Sequence, residues 1–395
     1  MPLTRHLYEL DEVVSALQIC LRNGWPRSPF WIWELVQSSE EALALRELRS
    51  AWLRLGGGHD PACMTTSPTT GDDWVRLTLR IDSAIRAAGS LNAEALLTAA
   101  AAQSSRQFAT PRPVNQAAAV RRRSRSAAFV ASLDPAEEID RDEAANWWIS
   151  LDAACRQGAR RDSIWLLQAG LPLMSANAIW SALQIAGRGG TGPAIAALQK
   201  AVAVDAHPVT QALAQANAIL LLCERGAEAR AAILAPVQGP VGFALRSWAE
   251  WDSKVGRRAA RIHPIPKDAL HAGTTRGALP KKYTNIEDVR DPVVLLPESC
   301  AYWRAACATV GITEDAETGG VIFPDDDVLE AFVDKHFPDD IPDEWSRADQ
   351  EKSHGRGCAD VAAAVGPSVV LREEALGRLT WRLATSVRWT PLRAR

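Results

Sequence analysis

The sequence predicts an all-α protein, a helical-repeat (α-solenoid-like) array of about four units with an appended, mostly helical and loop-rich C-terminal region. One glycine recurs in the same local pattern, at Gly24, Gly89, Gly158 and Gly226, with spacings of 65, 69 and 68 residues. Each glycine follows an amphipathic helix pattern, and an apolar run begins six residues after it. A repeat of fixed period usually indicates stacked supersecondary units.

Backbone geometry explains why glycine recurs at this point of the pattern. A helix often ends at a residue with positive φ, which glycine adopts without a steric penalty. The predicted unit is therefore an αα-hairpin with the glycine between its helices, and a third helix follows in most units. Trp31 and Trp165 each lie seven residues after their glycine and are predicted to be equivalent core residues. The alternative is four unrelated helix ends that are evenly spaced by chance.

Local signals predict almost continuous helix over residues 8–256. The first helix is indicated by apolar residues with the spacing of one helix face, namely Val13, Val14, Leu17 and Leu21. Helix starts are expected at Ser38–Glu41 and Asp140–Glu143, where polar and acidic residues precede an apolar pattern. Loops are expected at 59–72 and 110–115, which are rich in Pro, Ser and Thr.

Composition is that of an ordinary folded, soluble protein. Of 395 residues, 47% are hydrophobic and 23% charged, and the net charge of −3 favours neither a nucleic-acid nor a membrane partner. No apolar run reaches the roughly 18 residues of a membrane helix. Residues 1–6 show no apolar signal-peptide core. The seven scattered cysteines indicate small buried hydrophobic residues in a reducing, intracellular compartment.

Charge divides the chain into 1–256, the helical-repeat array, and 257–395, the C-terminal region. Residues 254–282 hold eight Lys or Arg and one Asp, whereas residues 312–351 hold 14 acidic and two basic residues. Helices are expected at 298–310, 325–337 and about 351–383. The basic and acidic segments are predicted to contact each other, anchored by the apolar residues Ile265, Phe323, Phe332, Phe337 and Trp345.

Four segments carry a resemblance to a known family. They are Tyr8–Glu12, Phe30–Leu35, Ile265–Leu270 and Phe337–Gly355, and the last is the most specific. They resemble uncharacterised proteins encoded by large nucleocytoplasmic DNA viruses of algae and protists. The resemblance implies a viral origin and a location in the host cell cytoplasm or the virion. It implies no catalytic role.

Motifs for phosphate binding and hydrolysis are missing from the sequence. The glycine runs at 56–58 and 187–190 lack a following Lys-Ser/Thr pair and are interpreted as helix ends. Two His-x3-Cys pairs, His59/Cys63 and His354/Cys358, have the spacing of a two-ligand half-site on a helix. Together the two pairs could form one His2Cys2 site only if the fold brought them together, and no CxxC accompanies either pair. No metal, cofactor or catalytic site is therefore predicted from these motifs.

An acidic cluster is the nearest approach to an active site. Its residues are His336, Asp339, Asp340, Asp343 and Glu344. Such a group suits Mg²⁺ or Ca²⁺ binding, or acid–base chemistry. The favoured interpretation is a solvated acidic loop that caps helices or meets the basic segment.

A run of arginines provides a candidate nucleic-acid surface. Its members are Arg121, Arg122, Arg123 and Arg125. Arginines of this density release counterions from phosphates, but interleaved aromatic residues are few. The competing interpretation is the exposed face of an array helix.

Three hypotheses for function result from these patterns. The first is a non-enzymatic helical-repeat scaffold, or protein-interaction protein, of a large DNA virus. The second is a nucleic-acid-associated accessory protein that uses the Arg121–Arg125 face. The weakest is a metal-dependent enzyme that uses the 336–344 acidic cluster.

Overall fold

The structure is a computed structural model of the chain. It describes residues 4–5, 10–24, 28–101, 103, 105–108, 116–187, 190–203, 207–236, 297, 299–314, 321–336 and 388–391. This part of the chain is mostly helical, as predicted, with fourteen α-helices and one short 3₁₀ turn. Within it, no helix combines the length and apolar character needed to span a bilayer.

The elements follow the chain in a simple order. The first helices are α1 (Leu10–Asn23), α2 (Ser28–Gln37), α3 (Glu41–Leu55), α4 (Gly71–Ala88) and α5 (Ala93–Ala101), with the 3₁₀ turn at Pro61–Met64. Next come β1 (Ser105–Phe108), α6 (Gln116–Ser132), α7 (Arg141–Gln157), α8 (Arg160–Gly170), α9 (Ala176–Ala186), α10 (Thr191–Val202), α11 (Pro208–Cys223) and α12 (Ala227–Leu234). The last are α13 (Ala301–Val310), β2 (Thr313–Glu314), β3 (Val321–Ile322), α14 (Asp326–His336) and β4 (Arg388–Pro391).

The four recurring glycines lie between helices, as predicted. Their φ angles are 64° at Gly24, 54° at Gly89, 70° at Gly158 and 87° at Gly226. The first three directly follow the last residue of α1, α4 and α7, whereas Gly226 is the N-cap of α12. A residue with a side chain rarely adopts such φ values, so glycine is required by the backbone at all four turns.

Two short strand pairs correct the prediction of an all-α chain. β1 pairs in parallel with β4, with Ser105 opposite Arg388, and β2 pairs antiparallel with β3. The strand β1 interrupts the almost continuous helix that was expected over 8–256. Its cause is a partner strand near the other end of the sequence, which no local pattern reveals.

The chain forms two compact units that alternate along the sequence. The first unit comprises Met1–Leu48, Pro68–Leu79 and Gly239–Leu371, and the second comprises Arg49–Ser67, Arg80–Gln238 and Arg372–Arg395. Unit boundaries therefore fall within α3 and α4. The predicted division after residue 256 lies outside the described residues.

Within the first compact unit, residues at the start of α13 contact the N-terminal part of the chain. The Trp303 indole donates to the carbonyl of Thr4 at 2.6 Å, and the backbone N–H of Tyr302 donates to the carbonyl of Ser38 at 3.2 Å. Around α13 and α14 the buried core consists of Cys300, Trp303, Cys307, Ile312 and Phe332. Both helices were predicted, and the predicted anchor Phe332 is buried.

The predicted contact between the basic and acidic segments stays a prediction. All of 254–282 lies outside the described residues, as do Ile265, Phe337 and Trp345. Phe323 is described and lies against Phe332, with 5.8 Å between ring centroids.

The second unit has a core rich in tryptophan. Trp147, Trp148, Trp165 and Trp180 are each at most 1% exposed. Their indole N–H groups donate to Leu166, Ala182 and Gln103 carbonyls and to the Gln211 side chain, respectively. Because each buried indole has a hydrogen-bond acceptor, the rings are buried without the cost of an unpaired polar group.

Candidate functional site

Three of the recurring glycine turns meet at one depression of the second unit. Its lining residues come from the turn after α4, the turn between α7 and α8, and the end of α11, namely Leu91, Gly158, Ala159, Arg160, Arg161, Asp162, Cys223, Glu224 and Arg225. The depression has a volume of about 620 Å³ and is open to solvent. We call it the turn depression.

Glycine at position 158 allows the helix ends to approach each other. Asp140 caps the N-terminus of α7 by accepting from the N–H groups of Asp142 and Glu143, as its sequence predicts. Gly158 ends the same helix, where its N–H donates back into the last turn. A Cβ at this position would lie 3.2 Å from the Cys223 carbonyl oxygen and 2.8 Å from the Arg225 side chain. Glycine alone therefore fits both the positive φ at this position and the close approach of these neighbouring atoms.

The turn depression carries two exposed arginines, Arg161 and Arg225, that have no acidic partner among the described residues. Arg160 forms an ion pair with Glu224 across the turns. Arg161 and Arg225 are exposed, and no carboxylate among the described residues lies within ion-pair distance of either. The surface therefore offers guanidinium groups to an anionic ligand or to an acidic protein segment.

The pKa of His59 is affected by charged residues that line the turn depression. Burial lowers the pKa of this half-buried imidazole, nearby Glu224 opposes that effect, and Arg160 adds to it. The main-chain carbonyl of His59 accepts from the Trp52 indole at 2.7 Å. The residue is thus held in a fixed position and favours its neutral form.

Two cysteines and a serine meet behind the turn depression, and of the three only Cys223 lines it. The Sγ atoms of Cys155 and Cys223 lie 3.6 Å and 3.5 Å from the Ser163 hydroxyl oxygen, which accepts from both thiols. The neighbouring Cys155 thiol, together with Ser163, lowers the pKa of Cys223 despite its burial. The neighbouring Cys223 thiol and burial raise the pKa of Cys155. Cys223 is therefore the more acidic thiol.

The arginine run on α6 does not form one exposed face. Arg121 and Arg123 are exposed, but two helix positions apart they point about 160° away from each other. Arg125 turns inward, where it lies 3.4 Å from Asp152, donates to the carbonyl of Ile185, and stacks 5.6 Å from the Trp148 ring centroid. Its guanidinium thus stabilises the fold.

We expect the full chain to bind DNA or RNA weakly at physiological salt. Fluorescence anisotropy with labelled single-stranded and duplex oligonucleotides would measure this. Arg125→Gln should lower the free energy of unfolding by about 1–3 kcal/mol through its lost hydrogen bonds, whereas Arg121→Gln and Arg123→Gln should each change it by less than about 0.5 kcal/mol. Tight, steeply salt-dependent binding that disappears when all four arginines are replaced would contradict this expectation.

His336 lies in an aromatic environment at the end of α14. Its ring is 4.6 Å from that of Phe332 and 5.4 Å from that of Trp303, centroid to centroid. Burial lowers the pKa of His336, and Lys335 and Arg5 lower it further. The other cluster members, Asp339, Asp340, Asp343 and Glu344, lie outside the described residues.

Of the two His-x3-Cys pairs, only His59/Cys63 lies in the described part of the chain. His354 and Cys358 lie outside it. Cys63 is buried beside Asp60, and burial followed by that carboxylate raises the pKa of its thiol well above the usual range. Among the described residues, no group of three or more His, Cys, Asp or Glu side chains is placed to hold a metal ion.

Two buried polar clusters near the turns were missed by sequence reasoning. Asn217 accepts from the Gly58 N–H at 2.8 Å and donates to the Leu53 carbonyl at 2.6 Å. Asp60, fully buried, receives two hydrogen bonds from Arg80 at 2.7 and 2.8 Å. The available signal for Asn217 was a lone amide in the apolar run of α11, because buried amides need partners.

The class of this protein is that of a mostly helical chain, and comparisons with known proteins do not refine it. No protein-family model, no curated protein and no solved structure matches it.

Proposed function

We propose that the chain is a non-enzymatic helical-repeat protein of about four α-solenoid-like units that binds a protein partner at the turn depression. One observation carries this proposal. The turns that follow Gly89 and Gly158 and the turn that precedes Gly226 line the same surface. Stacked repeats place equivalent turns side by side along one edge, and such edges and faces are where repeat proteins bind their partners.

The helix pattern around the glycines supports the repeat. α1, α2 and α3 surround Gly24 as α7, α8 and α9 surround Gly158, and in both cases the third helix ends just before a glycine. The repeat around Gly89 departs from this pattern, since the strand β1 and not a third helix follows α5. The third helix expected in the repeat around Gly226 lies outside the described residues.

The charges of the turn depression favour an acidic segment of the partner. Arg161 and Arg225 supply two exposed guanidinium groups to the same depression that the Arg160–Glu224 ion pair lines. Guanidinium groups bind carboxylates through paired hydrogen bonds. Charges at an interface rim chiefly raise the association rate and determine which partners fit.

The proposed viral origin rests on the sequence resemblance alone. Of the segments that carry it, Phe30–Leu35 belongs to α2, and most of its side chains are buried. Its likeness to the viral family therefore concerns the packed core of the first unit. The proposed location in host cytoplasm or virion has the same basis.

Charge reversal tests the docking surface. The tagged full chain and the Arg161→Glu/Arg225→Glu variant would be expressed in the same cells, affinity-purified and compared by quantitative mass spectrometry. We expect at least one protein with an acidic segment to be recovered about tenfold less with the variant, equivalent to about 1.4 kcal/mol.

The matched control reverses two exposed arginines elsewhere in the same unit. Arg121→Glu/Arg123→Glu makes the same change in net charge on α6 and should leave recovery of that partner unchanged. A synthetic peptide of the partner's acidic segment should then bind the wild type and the control, but not the site variant. Equal recovery with all three proteins would contradict docking at the turn depression.

A further inference from the structure

We propose that Cys155 and Cys223 are a peroxide-sensitive dithiol that converts to an intramolecular disulfide between α7 and α11. This inference does not depend on the proposed protein partner. It concerns a chemical modification beside the turn depression, where two thiols donate hydrogen bonds to one serine hydroxyl.

The geometry of the helix ends favours a disulfide. Cys155 lies in the last turn of α7 and Cys223 is the last residue of α11. Both sulfur atoms lie within 3.6 Å of the same Ser163 hydroxyl oxygen, so the two thiols are close neighbours. A disulfide requires Cα atoms about 4.4–6.8 Å apart. Final helical turns adjust more readily than helix interiors, so the movement that closes the disulfide falls where the backbone best accommodates it.

Access and acidity distinguish the two thiols. Cys223 belongs to the lining of the turn depression, and the neighbouring Cys155 and Ser163 side chains lower its pKa. The thiolate is the nucleophilic form of cysteine. Cys223 is therefore the thiol that attacks, and Cys155, which is fully enclosed and has a raised pKa, is the thiol that resolves.

The oxidant is hydrogen peroxide, and the reaction balances in two steps. The Cys223 thiolate attacks one peroxide oxygen, the O–O bond breaks, and the departing hydroxide takes a proton to become water. The Cys155 sulfur then attacks the resulting sulfenic acid, the S–O bond breaks, and the second water leaves with the Cys155 proton. Two thiols lose two electrons, and one peroxide becomes two waters.

Other buried thiols of the chain serve as internal controls. Burial raises the pKa of Cys63, Cys300 and Cys307, and the carboxylates of Asp60 and Glu34 raise it further at Cys63 and Cys300. Cys300 and Cys307 stand about two helical turns apart, too far for one disulfide. These thiols should oxidise much more slowly than the Cys155–Cys223 pair.

Peptide mapping of the full chain tests the proposal. The folded, reduced protein would be treated with hydrogen peroxide, alkylated in denaturant and digested with trypsin. Cleavage yields peptides 142–156 and 201–225, each holding one of the two cysteines. We expect them to be joined as the dominant disulfide, two hydrogen atoms lighter than their sum and separated by dithiothreitol. If both cysteines remain alkylated while Cys63 or Cys307 is oxidised, the proposal is wrong.

Single variants test the assignment of roles. In Cys155→Ser, dimedone should label the Cys223 sulfenic acid, because no second thiol resolves it. In Cys223→Ser, labelling of Cys155 should be at least about tenfold slower, as expected from its higher pKa. Equal labelling in the two variants would overturn the assignment. Ser163→Ala should slow wild-type disulfide formation and move the midpoint of its rate–pH profile upward, a shift that lost packing alone would not produce.

Discussion

Replacing Arg80 with alanine should destabilise the second unit by about 3–5 kcal/mol, because the buried Asp60 carboxylate would lose its cationic partner. Asp60 is fully buried, whereas the Arg80 side chain is 22% exposed. Two hydrogen bonds of 2.7 and 2.8 Å hold the pair in a bidentate arrangement. Native-state hydrogen exchange, read by mass spectrometry over the second unit, would measure the loss.

A double variant separates charge burial from lost packing. Asp60→Asn combined with Arg80→Ala removes the uncompensated charge. Asparagine also tolerates the φ of +49° found at position 60. The double variant should therefore be more stable than Arg80→Ala alone. Arg76→Ala, at an exposed position of the same helix, should cost less than about 0.5 kcal/mol. A double variant no more stable than the single one would mean that packing, not charge, holds the site.

Local geometry explains which parts of the fold the sequence predicted. The turns at Gly24 and Gly158, and the cap at Asp140, depend on φ angles and on hydrogen bonds within a few residues. The burial of Trp31 and Trp165 follows from apolar periodicity along a helix. Such features are present in any short window of sequence, and the structure confirms them.

Features that depend on distant partners were not predictable in this way. β1 exists because β4 pairs with it, and the Asn217 amide matters because Gly58 and Leu53 lie against α11. The turn depression likewise forms from segments far apart in the sequence. A single sequence carries the local preferences of each segment but not the identity of its neighbours.

Arg125 shows how a basic run is misinterpreted as a surface. Within the run, the sequence presents it as equivalent to Arg121, one helical turn earlier. Phe129, one turn later, is fully buried, so Arg125 lies at the edge of the apolar face of α6. From there its guanidinium reaches Asp152 and the Trp148 ring. A helical projection that included the following apolar residues would have separated Arg125 from the exposed arginines.

Alanine substitution of Trp31 or Trp165 should cost about 3–5 kcal/mol each, as expected for a large buried aromatic side chain. Trp31 is 3% exposed and Trp165 is 0% exposed, and each lies seven residues after its glycine. Trp31 packs edge-to-face on Phe30 at 4.7 Å, whereas the Trp165 indole donates to the carbonyl of Gln103. The two residues thus occupy the same position relative to their glycines but belong to different compact units.

Hydrogen exchange resolved by unit would test their equivalence. Trp31→Ala should lower the opening free energy of segments in the first unit, and Trp165→Ala that of segments in the second, by similar amounts. Trp33→Ala provides the control, because this half-buried ring should cost less than about 2 kcal/mol. A loss below about 1 kcal/mol for either buried tryptophan, beside a full loss for the other, would show that the two positions are not equivalent. The evenly spaced glycines would then be four independent helix ends, each selected by the backbone alone.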